Sequence, residues 1–236
     1  MISFIQIAGG TPAGAAVNAP FGANVTQGDL LLAFLQVTNV TVTSITDGQG
    51  NVWSISQNHI QTEVGSPFNI VSAWAFAKAT GPCTVTWNMS AAGGGVLFAN
   101  AVQYHSSNSW ASNPVTTSAY QDCNTGNPNT VGAMTGGKAG SLAVLWGALY
   151  TTGCVWSTTT PGYTLRTGGA GGSVTGLCDS VLAATGPTTP QLTLATNQNS
   201  FALGFILDEI RPAQNLTPKT YQIAMQNFSI LPIEEE

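Results

Sequence analysis

The chain contains one stretch twice, and this repetition decides the fold. Residues 73–104 read AWAFAKATGPCTVTWNMSAAGGGVLFANAVQY, and residues 179–210 read DSVLAATGPTTPQLTLATNQNSFALGFILDEI. Both stretches contain Ala-Thr-Gly-Pro, at 79–82 and at 184–187, between apolar runs of matching length. Self-similarity at a long period is typical of a duplicated structural unit. We therefore expect two copies of one unit in this chain.

The repeated unit has the pattern of antiparallel strands. In the first copy, the apolar side chains at 83, 85, 87 and 89 alternate with polar ones, which predicts a strand with one buried face. Gly-Pro precedes this strand, and glycine-rich or asparagine-rich turns follow it in both copies. Each copy then ends in an apolar strand. No segment has a sustained helical period, so we expect almost no helix.

The similarity extends upstream to a second block. Residues 28–35 (GDLLLAFL) correspond to residues 140–146 (GSLAVLW), and each run is apolar on both faces, as in a central covered strand. The copies are 112 residues apart here (140 − 28) and 105 apart at Ala-Thr-Gly-Pro (184 − 79). The first copy therefore has seven more residues, which we place in a loop around residues 57–69.

These patterns predict an all-β protein, an antiparallel β-sandwich of jelly-roll-like type with an internal duplication. Residues 1–212 form the sandwich from two pseudo-repeats, about 1–105 and 115–212, that share one core. A long connection at 106–129 joins them, and residues 213–236 form a C-terminal extension or arm. Two tandem immunoglobulin-like domains are the alternative architecture.

Charged residues are scarce, and this excludes several classes of function. They make up 6% of the 236 residues, against about 25% in a typical soluble domain. Three of the ten acidic residues are the terminal glutamates 234–236, and the five basic residues form no cluster, so nucleic-acid binding is not expected. No apolar run approaches the roughly 20 residues of a membrane-spanning helix. A surface of hydroxyl and amide groups suits a binding module or a protein packed in an assembly.

The N-terminus has no features of a secretory signal. Residues 1–7 (MISFIQI) lack a basic start, and their apolar run is short, so they are predicted to form the first strand. We expect synthesis in a host cytoplasm, with an extracellular or cell-surface location as the alternative.

Residues capable of catalysis are few, and we expect neither an enzyme nor a cofactor. The only imidazoles are His59, placed in a loop, and His105 at a strand end, and no nucleophile-elbow motif is present. The strand-borne acids Asp208 and Glu209 point to opposite faces, unlike the facing carboxylates of a glycosidase. The Asp47 turn is interpreted as a tight turn rather than a calcium loop, and no metal site is expected.

The four cysteines have no zinc-binding spacing. Cys83 falls on the buried face of its strand and is expected to be a buried thiol. Cys123 and Cys154 are candidates for a loop disulfide.

Two groups of residues are candidate binding sites. The aromatic side chains Trp110, Tyr120 and Trp156 lie in or beside predicted loops, where rings more often cover an end of the sandwich but, when exposed, can stack on sugars. The second group lies in the arm, whose alternating apolar residues suggest either a final strand on the sandwich edge or a strand added to a neighbouring subunit. Its members are Tyr221, Ile223, Met225, Phe228 and Ile230.

Several of the strand-and-turn patterns together resemble a known class of domains. The patterns are GDLLL (28–32), SITDGQGNVW (44–53), AWAFAK (73–78), TVTW (84–87), AVQY (101–104), PGYTL (161–165) and FILDEIRP (205–212). They resemble a loosely defined class of β-sandwich domains in bacterial surface proteins and phage virion proteins. The resemblance spans about residues 1–212 and implies a non-catalytic module.

From these observations we expect a virion structural protein, such as a phage capsid decoration or tail-associated protein. It would assemble as a homo-oligomer or with other virion proteins, through sandwich contacts and the C-terminal arm. The alternative is a carbohydrate-binding module or surface adhesin with a glycan as its partner.

Overall fold

The architecture is seen in a computed structural model that describes residues 1–62, 67–92, 97–123, 128–149, 155–167 and 174–210. Within these ranges there is no helix that could cross a membrane. The first repeat contains β1 (Ile2–Gly9), β2 (Thr11–Ala13), β3 (Ala16–Pro20), β4 (Leu30–Thr38), β5 (Val42–Asp47), β6 (Ser54–Gln61), β7 (Phe68–Phe76), β8 (Thr84–Met89) and β9 (Leu97–Ser106). The second repeat contains β10 (Trp110–Cys123), β11 (Leu142–Leu149), β12 (Trp156–Thr158), β13 (Thr164–Thr167), β14 (Thr175–Val181), β15 (Leu192–Leu194) and β16 (Ser200–Glu209).

Each repeat is built on a five-stranded antiparallel sheet, and the two sheets have the same strand order. The first is β1-β9-β4-β7-β6, and the second is β10-β16-β11-β14-β13. Strands at the same position in the two sheets also occupy the same position in the sequence of their repeats. In each sheet the first and last strands of the repeat pair with each other. The last strand also pairs with the central apolar strand, as in a jelly roll. The predicted all-β, antiparallel sandwich fold is confirmed.

The turn before the central strand shows how closely the copies agree. Gly28 and Gly140 both have positive φ angles, 86° and 84°, which glycine adopts without steric cost. One residue later, the amide of Asp29 donates to the carbonyl of Thr26 at 3.0 Å, and the amide of Ser141 donates to that of Lys138 at 2.9 Å. The same turn therefore begins the central strand in both repeats.

A second, smaller sheet covers the outer face of each five-stranded sheet. In the first repeat this sheet is β2-β3-β8-β5, and the buried Trp87 and Val85 of β8 pack against the β4 side chains Leu31 and Leu35. In the second repeat the described residues form the pair β12-β15, whose Trp156 packs over β11 and β14. Among the described residues, the second repeat thus has the smaller cover.

The inner faces of the two five-stranded sheets form a shared core. The rings of Phe34 and Trp146 stack there with centroids 5.3 Å apart. Leu30 pairs with Tyr104 as Leu142 pairs with Leu207, so Phe34 and Trp146 hold the same position in their repeats. A residue that contacts its own equivalent is the mark of a two-fold interface.

The sheet edges follow the same pseudo-two-fold arrangement. The edge strand β6 lies beside β10, where Gln57 donates to Ser118 at 2.8 Å. At the opposite edge, Arg166 of β13 lies over the Phe4 ring of β1 at 4.5 Å. Since β10 and β13 correspond to β1 and β6, the two edge contacts are exchanged by the pseudo-axis.

Two sequence-based placements are wrong. The long connection predicted at 106–129 is mostly β10, the counterpart of β1, and His59 lies in β6 rather than in a loop. Polar side chains concealed both strands, because an edge strand needs only one apolar face. Pro114 sits where the pairing of β10 shifts register, a position that accommodates proline at a sheet edge.

Candidate functional site

The most chemically capable cluster surrounds His105 at the end of β9. The Nδ1 atom of His105 lies 2.7 Å from Oδ1 of Asp29, a carboxylate that is almost fully buried in the turn before β4. The His105 side chain is 47% exposed. Asp29 also accepts a hydrogen bond from Gln103, which in turn accepts one from Gln6. A buried carboxylate thus orients an accessible imidazole.

An open cavity of about 490 Å³ adjoins this pair. Its wall includes Phe76, Trp110 and the serines of the β9–β10 turn. Ser106 donates to Glu209, and Ser107 accepts from the N-terminal amino group, so two of these hydroxyls are already engaged. Of the two imidazole nitrogens of His105, only Nδ1 has a hydrogen-bond partner among the described residues.

The arrangement therefore lacks the order of a nucleophilic triad. Such a triad needs a hydroxyl or thiol hydrogen-bonded to the second imidazole nitrogen. Here the carboxylate–imidazole pair has no such partner in the described part of the chain. The pair can bind a polar group, and the described residues place no hydroxyl or thiol on its second nitrogen.

The second repeat shows what the pair does in the fold. At the equivalent positions, Ser141 in the turn donates to Asp208 at the end of β16, and a cavity of about 400 Å³ adjoins them. Lys138 supplies the cation there, with its Nζ 3.3 Å from Asp208. A polar tie between the turn and the last strand is thus present twice, with different chemistry each time. Its shared role is to hold the turn against the sheet.

A second polar cluster joins the two repeats. Nε and Nη2 of Arg166 donate hydrogen bonds to the carboxylate of Asp179 in β14 at 2.9–3.0 Å. The same carboxylate accepts a hydrogen bond from the hydroxyl of Tyr104 in the first repeat at 2.8 Å. Asp179 and Tyr104 are buried, whereas Arg166 is partly exposed. Burial and the neighbouring Asp179 carboxylate raise the pKa of Tyr104 well above its usual value, so the phenol remains a donor. This cluster is an inter-repeat lock.

The opposite edge of the repeat interface has its own polar contacts. His59 of β6 stacks on Tyr120 of β10 with centroids 4.1 Å apart, and its Nε2 lies 2.6 Å from Oε1 of Gln57. Burial lowers the pKa of His59, because the charged ring is poorly solvated there. The side chains of both histidines therefore make contacts that hold elements of the fold together.

The three aromatic residues predicted to bind a glycan do not form one platform. Trp156 is 1% exposed, and its ring lies across Gly147 and Gly176, which pair on adjacent strands. Trp110 is 7% exposed, and one face of Tyr120 is covered by His59. The two tryptophans begin strands rather than lying in loops, because each closes the end of an apolar core. Neither indole offers an open face to a sugar.

Other candidate residues from the sequence are placed as follows. Tyr221, Ile223, Met225, Phe228 and Ile230 lie outside the described residues. The Asp47 carboxylate accepts the amides of Gln49 and Asn51 and the indole N–H of Trp53, which confirms a tight turn. No group of three or more metal-binding side chains occurs in the part of the chain that the structure describes.

The predicted buried thiol at Cys83 is confirmed. Cys123 is also a free thiol, whose Sγ donates to the carbonyls of Gln121 and Thr130 at 3.7 and 3.8 Å. Its proposed partner Cys154 lies outside the described ranges. The suggested loop disulfide is therefore not formed at Cys123.

Sequence reasoning missed an apolar ledge on β6, defined here by Ile55, Asn58 and Ile60. Ile55 is 48% exposed and Ile60 is 63% exposed. They pair with Ala73 and Asn69 of β7, of which Ala73 belongs to the core under the four-stranded sheet, so the ledge faces that sheet's side. Isoleucines in a segment with little alternation suggested nothing beyond a loop.

The ledge is bare because the covering sheet ends one strand early. The four-stranded sheet stops at β5, which lies above β7, whereas the five-stranded sheet continues to β6. A cavity of about 250 Å³, lined by Ile60, Val40 and Phe68 among others, lies at one end of the ledge. The structure thus leaves room for one strand beside β5 and above β6.

The second repeat has no bare position at the corresponding residue. Leu165 of β13 corresponds to Ile55, since both precede the same register shift in their strands. Leu165 packs, with Tyr163, against the core of its own repeat. At this position of the described residues, the first repeat has an exposed isoleucine and the second a packed leucine.

Comparison of the chain with protein-family models, with curated proteins and with solved structures finds no match to any of them.

Proposed function

We propose that this protein is a non-catalytic structural component of a virion, such as a phage capsid decoration or tail-associated protein, that assembles into homo-oligomers or with other virion proteins. The single observation that carries the assembly role is the ledge on β6. Exposed apolar patches on soluble proteins often mark interaction sites. β6 (SISQNHIQ) lies beside β10 along its edge, and its outer face exposes two isoleucines, Ile55 and Ile60.

The architecture supports the virion assignment by analogy. Jelly rolls are frequent in viral capsid proteins and in lectins, so the fold favours these two classes without selecting a function. Low surface charge favours packing in an assembly over life as a dispersed monomer. The C-terminal arm, with Tyr221, Ile223 and Met225, supplies a second surface for contact between subunits.

The assembly role is tested by measuring mass in solution over a range of protein concentrations. We expect the wild-type chain to form discrete oligomers and Ile55→Asp/Ile60→Asp to shift them to monomers, because a buried carboxylate without a partner is costly. Val155→Asp is the matched control, since Val155 is 46% exposed on the second repeat. A wild-type chain that is a monomer at every concentration contradicts the proposal.

The virion assignment has a separate test. Mass spectrometry of purified particles is expected to find the protein at a fixed ratio to the major capsid protein, and its gene is expected beside portal and capsid genes. A gene whose neighbours encode only metabolic enzymes contradicts this part.

Glycan binding is the second candidate, and the cavity next to His105 is the observation that favours it. The cavity combines hydroxyl, amide and imidazole groups with the partly exposed aromatic side chain of Phe76, a mixture suited to sugars. Binding on a glycan array that is lost in Asn108→Ala and kept in Thr185→Ala, at the equivalent cavity, supports this candidate. A blank array counts against it.

A further inference from the structure

The ledge on β6 has the shape of a seat for one extended strand. Its floor is the row Ile55, Asn58 and Ile60, and its side is β5, which has no strand neighbour on that side among the described residues. A strand placed there can pair with β5 and cover both isoleucines. It would become the fifth strand of the four-stranded sheet, which would then match the width of the sheet below.

Local polar contacts hold the start of β5 to the floor of this seat. Asn69 accepts the amide of Val42 at 2.8 Å and donates to Asn58 at 2.7 Å, so it ties the start of β5 to the floor. The cavity lined by Ile60, Val40 and Phe68 adjoins this end and is large enough for an apolar side chain. The seat therefore combines a strand edge, two isoleucines and an end pocket.

The C-terminal arm has the chemistry that this seat requires. Residues 220–230 (TYQIAMQNFSI) contain no charged residue, and their apolar side chains at 221, 223 and 225 alternate with Gln222 and Ala224. A strand with this pattern presents one apolar face and one mostly polar face. The apolar face suits the isoleucines, and the other face suits the solvent side of β5, where Thr43 and Thr46 are exposed.

The lengths agree as well. Ile55 and Ile60 are five residues apart, about 16 Å along a strand, and residues 221–225 span about 13 Å, with Phe228 beyond them for the end pocket. The described chain ends at the exposed Ile210, whose amide donates to Ser109. Ten residues (211–220) lie between Ile210 and Tyr221, so eleven residue steps (221 − 210) give a spacer of about 36 Å when extended.

We propose that the seat on the first repeat receives residues 221–230 of a second copy of this chain by antiparallel strand addition to β5. The assignment to a second copy rests on the proposed assembly function. Each subunit then has one seat and one arm, so the contact is heterologous and can continue around a ring. The second repeat has no bare counterpart of Ile55 and keeps its surface for other contacts.

A mixing experiment with full-length chains tests this proposal. The seat variant is Ile60→Asp, and the arm variant is Ile223→Asp/Met225→Asp. We expect each variant alone to associate at least about tenfold more weakly than wild type, because either change places a carboxylate in the apolar contact. An equimolar mixture is expected to recover a 1:1 complex, since one chain still has its arm and the other its seat. Val155→Asp again serves as the control.

Trypsin cleavage after Lys219, measured by mass spectrometry, provides an independent readout on the same samples. We expect protection of this bond in wild-type oligomers and cleavage in both variants. Oligomers that persist in Ile60→Asp keep the assembly function and show that the seat is wrong. A mixture that does not pair also overturns the proposal.

Two further outcomes separate this inference from the proposed function. A monomeric wild type in which Lys219 is protected, and becomes exposed in Ile60→Asp, shows that the arm lies on its own chain, which overturns the assignment to a second copy. A monomeric wild type that is cut freely after Lys219 removes the assembly function itself.

Discussion

The two repeats have one strand order but different outer covers, and this difference shows which features the fold needs. The first repeat has a four-stranded covering sheet that leaves the ledge on β6 bare. The described part of the second has the pair β12-β15 as its cover, and Leu165 is packed against its core. The inner faces of the two five-stranded sheets pack on each other. Each covering sheet packs on the five-stranded sheet of its own repeat.

The same contrast holds for the polar groups. The tie at the end of the last strand persists as Asp29–His105 in one repeat and Ser141–Asp208 in the other. By comparison, the described residues contain one buried lock of Asp179, Arg166 and Tyr104, which joins the two repeats at one edge. Conserved geometry with changed residues indicates a structural role for the ties.

The largest expected effect tests whether the inner core belongs to both repeats. Trp146→Ala removes a fully buried ring that stacks on Phe34 and donates to Asn100 at 2.9 Å. We expect a loss of about 3–5 kcal/mol in the free energy of unfolding, with a single transition. Denaturant unfolding followed by circular dichroism measures both. Two separate transitions would show that the repeats fold independently.

The next effect concerns the inter-repeat lock. Asp179→Ala leaves the Tyr104 hydroxyl buried without its acceptor and Arg166 without its carboxylate, so we expect a loss of about 3 kcal/mol. Equilibrium unfolding in urea measures it. Asp208→Ala, in the more exposed tie of the second repeat, is the matched control with a smaller loss. Equal losses in the two variants would refute the distinction between lock and tie.

A smaller effect tests the cover of the second repeat. A Cβ atom at Gly176 would lie 2.7 Å from the Trp156 ring, so Gly176→Ala is expected to cost about 1–3 kcal/mol through overpacking. Thermal unfolding measures the change. Gly22→Ala, where no atom lies within 4 Å of the added carbon, should leave the midpoint unchanged. An unchanged midpoint in Gly176→Ala would show that the ring can move aside.

The buried thiols predict how stability depends on pH. Burial raises the pKa of Cys83 in the first repeat and of Cys178 in the second to about 12, from an ordinary value of 9.0. Since the folded pKa is raised, this stability is present below pH 9 and is lost as the pH rises from 9 towards 12. The urea midpoint at pH 9.5 should be slightly below that at pH 8. Cys83→Ala/Cys178→Ala should show a smaller decline, and an identical decline would assign the effect to other groups.

The smallest expected effect is at the ion pair of the second tie. Lys138→Ala removes a largely exposed side chain beside Asp208, so the free energy of unfolding should change by less than about 1 kcal/mol. Urea unfolding at low and at 0.5 M salt measures it, and any loss should shrink with salt. A loss that is large and insensitive to salt would show that the tie is buried in solution.

Much of the fold could be predicted from local patterns. The apolar runs at 30–35 and 142–146 and the alternation at 83–89 predicted strands at β4, β11 and β8, because burial on one or two faces dictates these patterns. The Ala-Thr-Gly-Pro repeat located the duplication. In contrast, β10 and the second half of β6 were assigned to loops, since their polar side chains serve the seam between repeats.

The candidate site could not be predicted from the sequence, for the same reason. His105 was recognised as a candidate, but its partner Asp29 is 76 residues away and depends on the pairing of β9 with β4. For Trp156 the sequence left two roles open, a sugar platform or a cover for a sandwich end, because nothing near it in sequence shows the paired glycines that receive its ring.

The sequence by itself determined the strands, the duplication and the charge-poor surface, because these depend on side chains close together along the chain. Only the tertiary structure decided that the two central sheets pack about a pseudo-two-fold axis, that the histidine cluster is a tie, and that β6 is left uncovered. Those properties depend on which strands become neighbours. The neighbours are set by packing between strands that lie about a hundred residues apart in the sequence.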